Sequence, residues 1–164
     1  FMGDETGSVR LLPARATHRF GALRGNHEYL DNGARYATDV AGRTASVEVD
    51  SLVLRPGVRD SVEQRRVGRL GEPGDQGGHL IGTRFGGSFE GYNLIPQNAR
   101  VNLSDWKKIE NEWHRALAQG RTVEDLKITP MYAGDALRPY EVRLTYLLDG
   151  QPYARRVPNQ VVTP

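Results

Sequence analysis

Three polar residues, His79, Asn102 and Glu110, carry side chains that could together hydrolyse a phosphodiester bond. A neutral imidazole has a pKa near neutral pH, so His79 could accept a proton from an attacking water. Asn102 and Glu110 supply an amide oxygen and a carboxylate eight residues apart, and a hard divalent cation prefers such oxygen ligands. A cation seated there would meet the charge that develops on a phosphate during hydrolysis.

Each of these residues also has a purely structural interpretation. A single histidine among four is most often structural or exposed, and an asparagine ahead of a helix commonly caps it. Glu110 lies beside Lys107 and Lys108, where glutamate is usually a solvated helix residue. A conventional zinc site is not indicated, because no second histidine or cysteine lies at a chelating offset from His79. The glycines around His79 do not precede the Lys-Ser/Thr pair of a phosphate-binding loop either.

The clearest element that could position these side chains is a helix over "SDWKKIENEWHRALAQG". Ser104 is predicted to cap its start and Gly120 to end it. If the helical turns begin near Asn102, Glu110 is rotated by roughly 80° from it and shares its flank. The apolar residues recur at helical spacing and predict one buried stripe: Trp106, Ile109, Trp113, Ala116 and Leu117.

The remaining patterns predict antiparallel strands. Residues 36–50 are predicted as a hairpin around Ala41-Gly42, and Asp149-Gly150 is predicted as a second hairpin turn. Alternate residues from Tyr140 to Leu148 are predicted to form one buried face. We predict an irregular arm over 1–34 and a loop with a short helix over 55–78. The predicted fold class is α+β, with an antiparallel sheet and one dominant helix.

Composition narrows the class of protein. The 164 residues suit a single domain, 1–164, and no stretch approaches the eighteen apolar residues of a membrane span. The absence of cysteine excludes disulfides and thiolate metal sites. Of 22 basic residues, 19 are arginine, with a local excess between Arg55 and Arg69. Arginine presents a fork of donors that matches phosphate oxygens, although the bias is also compatible with a solvated surface.

The stretch from Asp75 to Trp113 resembles the DNA/RNA non-specific endonucleases, a family of ββα-metal (His-Me finger) nucleases. In that family an Asp-x-Gly-His segment carries the general base, and "DQGGH" places His79 in this role. The family's downstream Asn-x-x-Pro-Gln segment is matched by Asn93 and Gln97. Asp75, Asn93 and Gln97 are therefore expected to support the site.

The resemblance extends to the metal-binding part of the family motif. Five residues after the motif glutamine the family has its metal-binding asparagine, and Asn102 stands there. A glutamate eight residues further on, which holds metal-bound water in the family, is matched by Glu110. The resemblance thus implies Mg²⁺ as cofactor, with Mn²⁺ or another divalent cation also possible. It places a ββα-metal core at 75–118.

The motif also departs from the family pattern. The broader family has arginine before Gly-His, whereas this chain has Gln76 and an extra glycine. Arg84 and the Arg55–Arg69 group are candidates to replace that charge at the substrate. The residue one turn beyond the glutamate, an arginine in some members, is His114 here.

The expected function is a metal-dependent endonuclease that cleaves DNA, RNA or both with little sequence preference. The particular branch resembled consists of toxin domains of large secreted bacterial proteins. It implies delivery into a target cell, action in that cell's cytoplasm, no association with a membrane, and a cognate acidic immunity protein. Two alternatives remain: a non-catalytic nucleic-acid-binding module with the same fold, and an adhesive or structural part of a larger secreted protein.

Overall fold

The structure is a computed structural model that describes residues 2–3, 9–10 and 15–160. Its strands, numbered in chain order, are β1 (Met2–Gly3), β2 (Val9–Arg10), β3 (Glu28–Asp31), β4 (Ala34–Thr38), β5 (Thr44–Ser51), β6 (Asp75–His79), β7 (Leu94–Asn98), β8 (Val123–Met131), β9 (Glu141–Leu148) and β10 (Gln151–Pro158). Its helices are α1 (Ser61–Arg69), a 3₁₀ turn (Gly91–Asn93), α2 (Ala99–Val101), a π-helical turn (Asn102–Trp106) and α3 (Lys107–Ala118).

Six of the strands form one antiparallel sheet in the order β10-β9-β8-β5-β4-β3. Two-residue turns close its outer hairpins. Asn32-Gly33 joins β3 to β4 and Asp149-Gly150 joins β9 to β10, and all four residues have positive φ. Asparagine, aspartate and glycine tolerate this left-handed conformation, which matches the right-handed twist of the flanking strands. The predicted antiparallel sheet and the Asp149-Gly150 hairpin are therefore confirmed.

A separate β-β-helix unit carries the residues of chemical interest. Strands β6 and β7 pair antiparallel with each other, and His79 at the end of β6 faces Leu94 at the start of β7. The chain then enters a helical run from Ala99 to Ala118 through α2, the π turn and α3. The α+β class with one dominant helix is confirmed.

The helical run packs across the large sheet. Trp113 is the largest fully buried side chain, and its ring lies edge-on to Tyr146 of β9 at 5.3 Å and to Phe85 at 6.0 Å between centroids. Ile109 and Ala116 are buried beside it, as the predicted stripe requires. Because these aromatic contacts hold α3 against the sheet, they also fix which face of the helix is turned toward β6.

Helix α1 lies directly against β6. Asp60 caps its start by accepting from the backbone N–H groups of Val62 and Glu63, both at 3.0 Å. A Cβ on Gly77 would overlap the Gln64 carbonyl oxygen, so glycine is required for this close approach. The Gln64 amide also donates to the Gly77 carbonyl at 2.9 Å.

Several sequence predictions differ from the structure. The irregular arm predicted over 1–34 is wrong at Glu28–Asp31, which forms β3, while its residues 1, 4–8 and 11–14 lie outside the described part. The short helix predicted within 55–78 is present as α1, but the last four residues of that span begin β6 and are not loop. Tyr140 precedes β9 and is 46% exposed, so the predicted buried face begins at Val142 instead.

The predicted helix start is also wrong. Ser104 does not cap the helix, because it lies within the π turn. The cap is Asn98, whose side-chain oxygen accepts from the N–H groups of Arg100 at 3.0 Å and Val101 at 3.2 Å. The predicted end is confirmed: α3 stops at Ala118, and Gly120 follows with a φ of 76°. No helix in the described residues is long and apolar enough to cross a membrane.

Candidate active site

One pocket brings together the three residues that the sequence marks for chemistry. His79, Asn102 and Glu110 all line a cavity of about 480 Å³ between the end of β6 and the helical run. Arg59 and Arg84 line the same cavity from two loops. An imidazole can accept a proton and guanidinium groups can offset negative charge, so this combination of side chains is compatible with hydrolysis of a phosphate ester.

His79 is presented by the last position of β6. Its ring makes no hydrogen bond to any group in residues 15–160, so neither ring nitrogen is tied up within this part of the protein. Burial and, to a lesser extent, the positive charge of Arg59 together lower the pKa of His79 from 6.5 to about 4. The imidazole is therefore neutral at neutral pH, as a general base must be.

The glycines before His79 serve the protein's own packing. The chain places Gly77 against α1, and a Cβ on Gly78 would overlap the side-chain oxygen of Gln97. Glycine at position 82 leaves room for the Glu110 side chain, because a Cβ there would overlap the Glu110 carboxylate.

The depressed pKa of His79 gives an expected result for a titration. Because the protonated form is disfavoured in the fold, the His79 ring should titrate near pH 4 rather than near 6.5. Arg59→Gln should raise that value, since one charge that opposes the imidazolium is removed. Proton NMR of the metal-free protein measures both values, with the signal assigned by its loss in His79→Ala. A ring that titrates at 6.5 or above would contradict this electrostatic assignment.

Asn102 lies in the π turn, where its side chain faces Gln76 of β6. Its Nδ2 donates to the Gln76 Oε1 at 3.1 Å, which leaves the Asn102 amide oxygen free of this contact. π turns inside α-helices are frequent at functional sites, because the extra residue re-aims a side chain. Gln76, which replaces the family arginine, thus orients Asn102.

Glu110 projects from α3 into the same pocket. Burial raises the pKa of its carboxyl group, while Arg84, Lys107 and Arg59 act in the opposite direction. The effect of burial is the larger, so the nearby positive side chains do not fully offset the cost of burying the ionised carboxylate. A cation in the pocket would supply the missing positive charge. The described residues hold no cluster of three or more His, Cys, Asp or Glu side chains that could bind a metal by themselves. The donor set therefore fits an ion that keeps several waters.

Arg84 and Arg59 supply positive charge from separate loops. The Arg84 guanidinium donates to the Asn111 side-chain oxygen at 2.7 Å, which tethers it beside Glu110. Arg59 is exposed, and its guanidinium lies 3.4 Å from the Thr83 hydroxyl. The structure thus brings two arginines to the pocket. The sequence had singled out Arg84, and had named Arg59 only as part of the Arg55–Arg69 group.

Asp75 lies at the opposite end of β6 from His79. Its buried carboxylate accepts from two nitrogens of Arg138, at 2.6 and 3.1 Å, and from the backbone N–H of Glu72 at 2.8 Å. Arg138 also donates to the Asn159 carbonyl at 2.7 Å. This ion pair anchors the start of the strand that ends at His79. Sequence reasoning missed Arg138, because 63 residues separate it from Asp75.

Removal of Arg138 should destabilise the fold. The Asp75 side chain is 1% exposed, so Arg138→Ala leaves a buried carboxylate without its charged partner. Loss of one partner of a buried pair typically costs about 3–5 kcal/mol. The matched control is Arg143→Ala, whose side chain is 46% exposed in its pair with Glu141 and should cost about 1 kcal/mol or less. Urea unfolding of the two variants measures the difference, and equal losses would contradict the anchoring role of Arg138.

Asn93 and Gln97 are both buried, and neither lines the pocket that holds His79. The Asn93 side chain accepts from the Ile81 N–H at 2.8 Å and donates to the Ile81 and Ser88 carbonyls at 2.9 and 2.8 Å. It therefore holds the loop that carries Arg84. Gln97 is 2% exposed and packs beneath Gly78, and its side-chain oxygen has no hydrogen-bond partner in the described structure.

Comparison with known proteins assigns this arrangement to a family. A sequence model of the DNA/RNA non-specific endonuclease family matches residues 25–150, which include strands β3, β4, β5, β8 and β9 of the large sheet, the pocket and the helical run. The chain belongs to the DNA/RNA non-specific endonuclease family. The resemblance predicted from the motif around His79 is thereby confirmed.

A curated relative matches most of the length of this chain. The chain is 38% identical over 147 residues to the type VII secretion system protein EssD of Staphylococcus aureus strain USA300. The same match is found in strain NCTC 8325. It covers 84% of this chain and 24% of EssD, so this endonuclease-family chain spans about a quarter of the length of that relative.

Solved structures agree on the fold of this endonuclease-family chain. NucA from Streptococcus agalactiae with magnesium ion bound aligns with a TM-score of 0.60 at 17% identity, over 93% of this chain and 78% of NucA. Sda1 nuclease with bound zinc ion aligns with a TM-score of 0.50 at 26% identity, over 54% of this chain and 39% of Sda1. The β-β-helix unit and its sheet thus belong to a fold shared with nucleases.

Proposed function

We propose that this chain is a metal-dependent endonuclease that hydrolyses phosphodiester bonds of DNA or RNA with little sequence preference. The observation that carries the proposal is the meeting of His79, Asn102 and Glu110 in one pocket beside two arginines. The family assignment supports the reaction class. Backbone phosphates, which carry no sequence information, are the groups that such a pocket recognises.

His79 is the general base in this proposal. As a water oxygen forms its bond to phosphorus, one proton of that water passes to a ring nitrogen of His79, and the bond from phosphorus to the leaving oxygen breaks. The low pKa keeps the ring ready to accept that proton. Because the ring has no hydrogen-bond partner in the described residues, its nitrogens are available to water.

Asn102 and Glu110 would hold a divalent cation, Asn102 through its amide oxygen and Glu110 through the waters of the ion. When bound, the ion offsets the negative charge that develops on the phosphate. We propose Mg²⁺, and Mn²⁺ also suits these oxygen donors. NucA and Sda1 were solved with magnesium and zinc respectively, which supports a divalent ion in this fold.

Arg59 and Arg84 bind the substrate phosphate in this proposal. Both line the pocket, and arginine donates in a fork that matches phosphate oxygens. They take over the charge of the family arginine that is replaced by Gln76. Arg84 is the better oriented of the two, since Asn111 holds it in place.

The biological context is proposed from EssD, whose name places it in a type VII secretion system. We propose that this chain is the single nuclease domain of a larger secreted bacterial toxin that acts in the cytoplasm of a target cell. A producing cell then needs an inhibitor, and an acidic immunity protein would complement the basic pocket.

A plasmid-nicking assay with and without a chelator tests the proposal. Nicking that depends on added Mg²⁺ and vanishes with the chelator is expected. Cleavage that survives the chelator would refute metal dependence. A chain that binds DNA and RNA but cleaves neither at any metal concentration would support the alternative, a non-catalytic binding module of the same fold.

A further inference from the structure

A second groove adjoins the proposed active-site pocket along helix α1. Its volume is about 840 Å³, against about 480 Å³ for the pocket that holds His79. Gln64 and Gln76 line both cavities, so the two meet across these side chains. Whatever occupies the pocket can therefore extend into the groove.

The exposed wall of this groove is basic. Arg65 and Arg69 lie one helical turn apart on α1, and both are exposed and line the groove. Within residues 15–160, neither forms an ion pair. Four residues of α-helix separate them by about 6 Å along the helix axis, so both can reach one extended anionic chain.

The acidic residues of the groove are largely neutralised. The Asp75 carboxylate is buried and held by Arg138, and the Glu72 carboxylate lies 3.8 Å from the same guanidinium. The remaining charge of the groove is therefore positive. A ligand with regularly spaced negative charges complements this surface better than a small acidic molecule would.

Glycines form much of the groove floor. Gly68 and Gly77 are in contact with other backbone, and at Gly74 no other atom lies within 4 Å of the position of a Cβ. No large side chain projects across this floor from these positions. The groove thus has the form of an open channel that suits an extended polymer.

We propose that this groove binds the nucleic-acid strand that continues beyond the scissile phosphate, with Arg65 and Arg69 contacting its backbone phosphates. The proposal rests on the proposed endonuclease function, which makes a nucleic acid the occupant of the adjoining pocket. Gln64 and Gln76 mark the place where the strand passes from the pocket into the groove. The contacts are to phosphate, so they increase affinity without selecting a base sequence.

The test compares affinities for strands of different length. Binding is measured by fluorescence anisotropy in a His79→Ala background, with a labelled dinucleotide and a labelled strand of about twelve nucleotides, as DNA and as RNA. The variant is Arg65→Gln/Arg69→Gln. The matched control is Arg24→Gln/Arg115→Gln, which removes the same charge from exposed positions that line neither cavity.

Arg65→Gln/Arg69→Gln should weaken binding of the long strand several-fold more than the control does. The slope of log affinity against log salt concentration should fall by about 1.4, because each phosphate contact contributes about 0.7 for a single strand. Affinity for the dinucleotide should match that of the control. Arg65→Lys/Arg69→Lys retains both charges and should retain most of the salt dependence.

Long-strand affinity equal to that of the control would overturn the proposal, and so would equal losses for the glutamine and lysine variants. An acidic protein as the true occupant also predicts unchanged oligonucleotide affinity. Thermal melts confirm that each variant is folded. If the unsubstituted chain cleaves no nucleic acid, the proposed endonuclease function fails, yet the affinity comparison still decides whether the groove binds a strand.

Discussion

His79→Ala should reduce the rate of phosphodiester cleavage by about 10²- to 10⁴-fold, which is the usual cost of losing a general base. Among the residues that the structure describes, His79 supplies the only imidazole that lines the pocket. Because the ring makes no hydrogen bond to the described residues, the fold and the affinity for Mg²⁺ should change little. Single-turnover cleavage of a labelled duplex at saturating Mg²⁺ measures the loss.

His114→Ala is the matched control for this experiment. His114 lies on α3 one turn beyond Glu110 but does not line the pocket, so its loss should leave the cleavage rate near that of the unsubstituted protein. A His79→Ala protein that keeps more than about a third of the original rate would remove His79 from the mechanism, since a general base contributes far more than that.

Asn102→Ala should raise the Mg²⁺ concentration needed for half-maximal cleavage by about tenfold or more. The substitution removes the amide oxygen proposed to contact the ion. Glu110→Gln keeps the shape but removes the charge that holds the metal's waters, and such changes typically cost about 10- to 100-fold. The double variant should lose less than the two single losses combined, because both act on one ion. Mg²⁺ titrations of cleavage measure all three.

Asn98→Ala separates metal binding from helix capping. Asn98 is the residue that caps the helical run, so its removal should cost about 1 kcal/mol of stability and leave the Mg²⁺ titration unchanged. Asn102→Ala should shift the Mg²⁺ titration and leave stability nearly unchanged. Asn102 does not cap the helix, because it lies inside the helical run and its side-chain amide donates to Gln76. If Asn102→Ala lowers the melting temperature but leaves the Mg²⁺ titration unchanged, the proposed metal role of Asn102 is refuted.

Local pattern was sufficient to predict the parts of this fold that depend on near neighbours. The stripe through Trp113 predicted the long helix, and Asp149-Gly150 predicted its hairpin. The helix start was missed because the π turn adds a residue between Asn98 and Trp106, so the apolar period does not run back to the true cap. Strand β3 was missed although Asn32-Gly33 is a strong hairpin signal, because its alternation is weak and the strand lies at the sheet edge.

The candidate site likewise has one part that the sequence predicted and another part that depends on tertiary structure. Spacing along the chain identified His79, Asn102 and Glu110, and the structure brings all three to one pocket. Arg59 reaches that pocket only through tertiary packing, and no motif distinguishes it from neighbouring arginines. The pKa of His79 depends on burial and on Arg59, so the ordinary histidine value assumed from sequence was wrong.

The placement of Asn102 and Glu110 on one helical run makes the length of that segment as important as its composition. Each residue of an α-helix turns the next by about 100°, so deleting one residue between them would swing Glu110 out of the pocket although Asn102 and Glu110 themselves were unchanged. The π turn that contains Asn102 already adds one residue to the helical run, and the present angle between Asn102 and Glu110 depends on that added residue. Insertions in the surface loops of the sheet leave this angle unchanged. The geometry of the candidate site thus depends partly on the number of residues between Asn102 and Glu110. If that number changes, no substitution elsewhere in the segment can restore the angle between the two side chains.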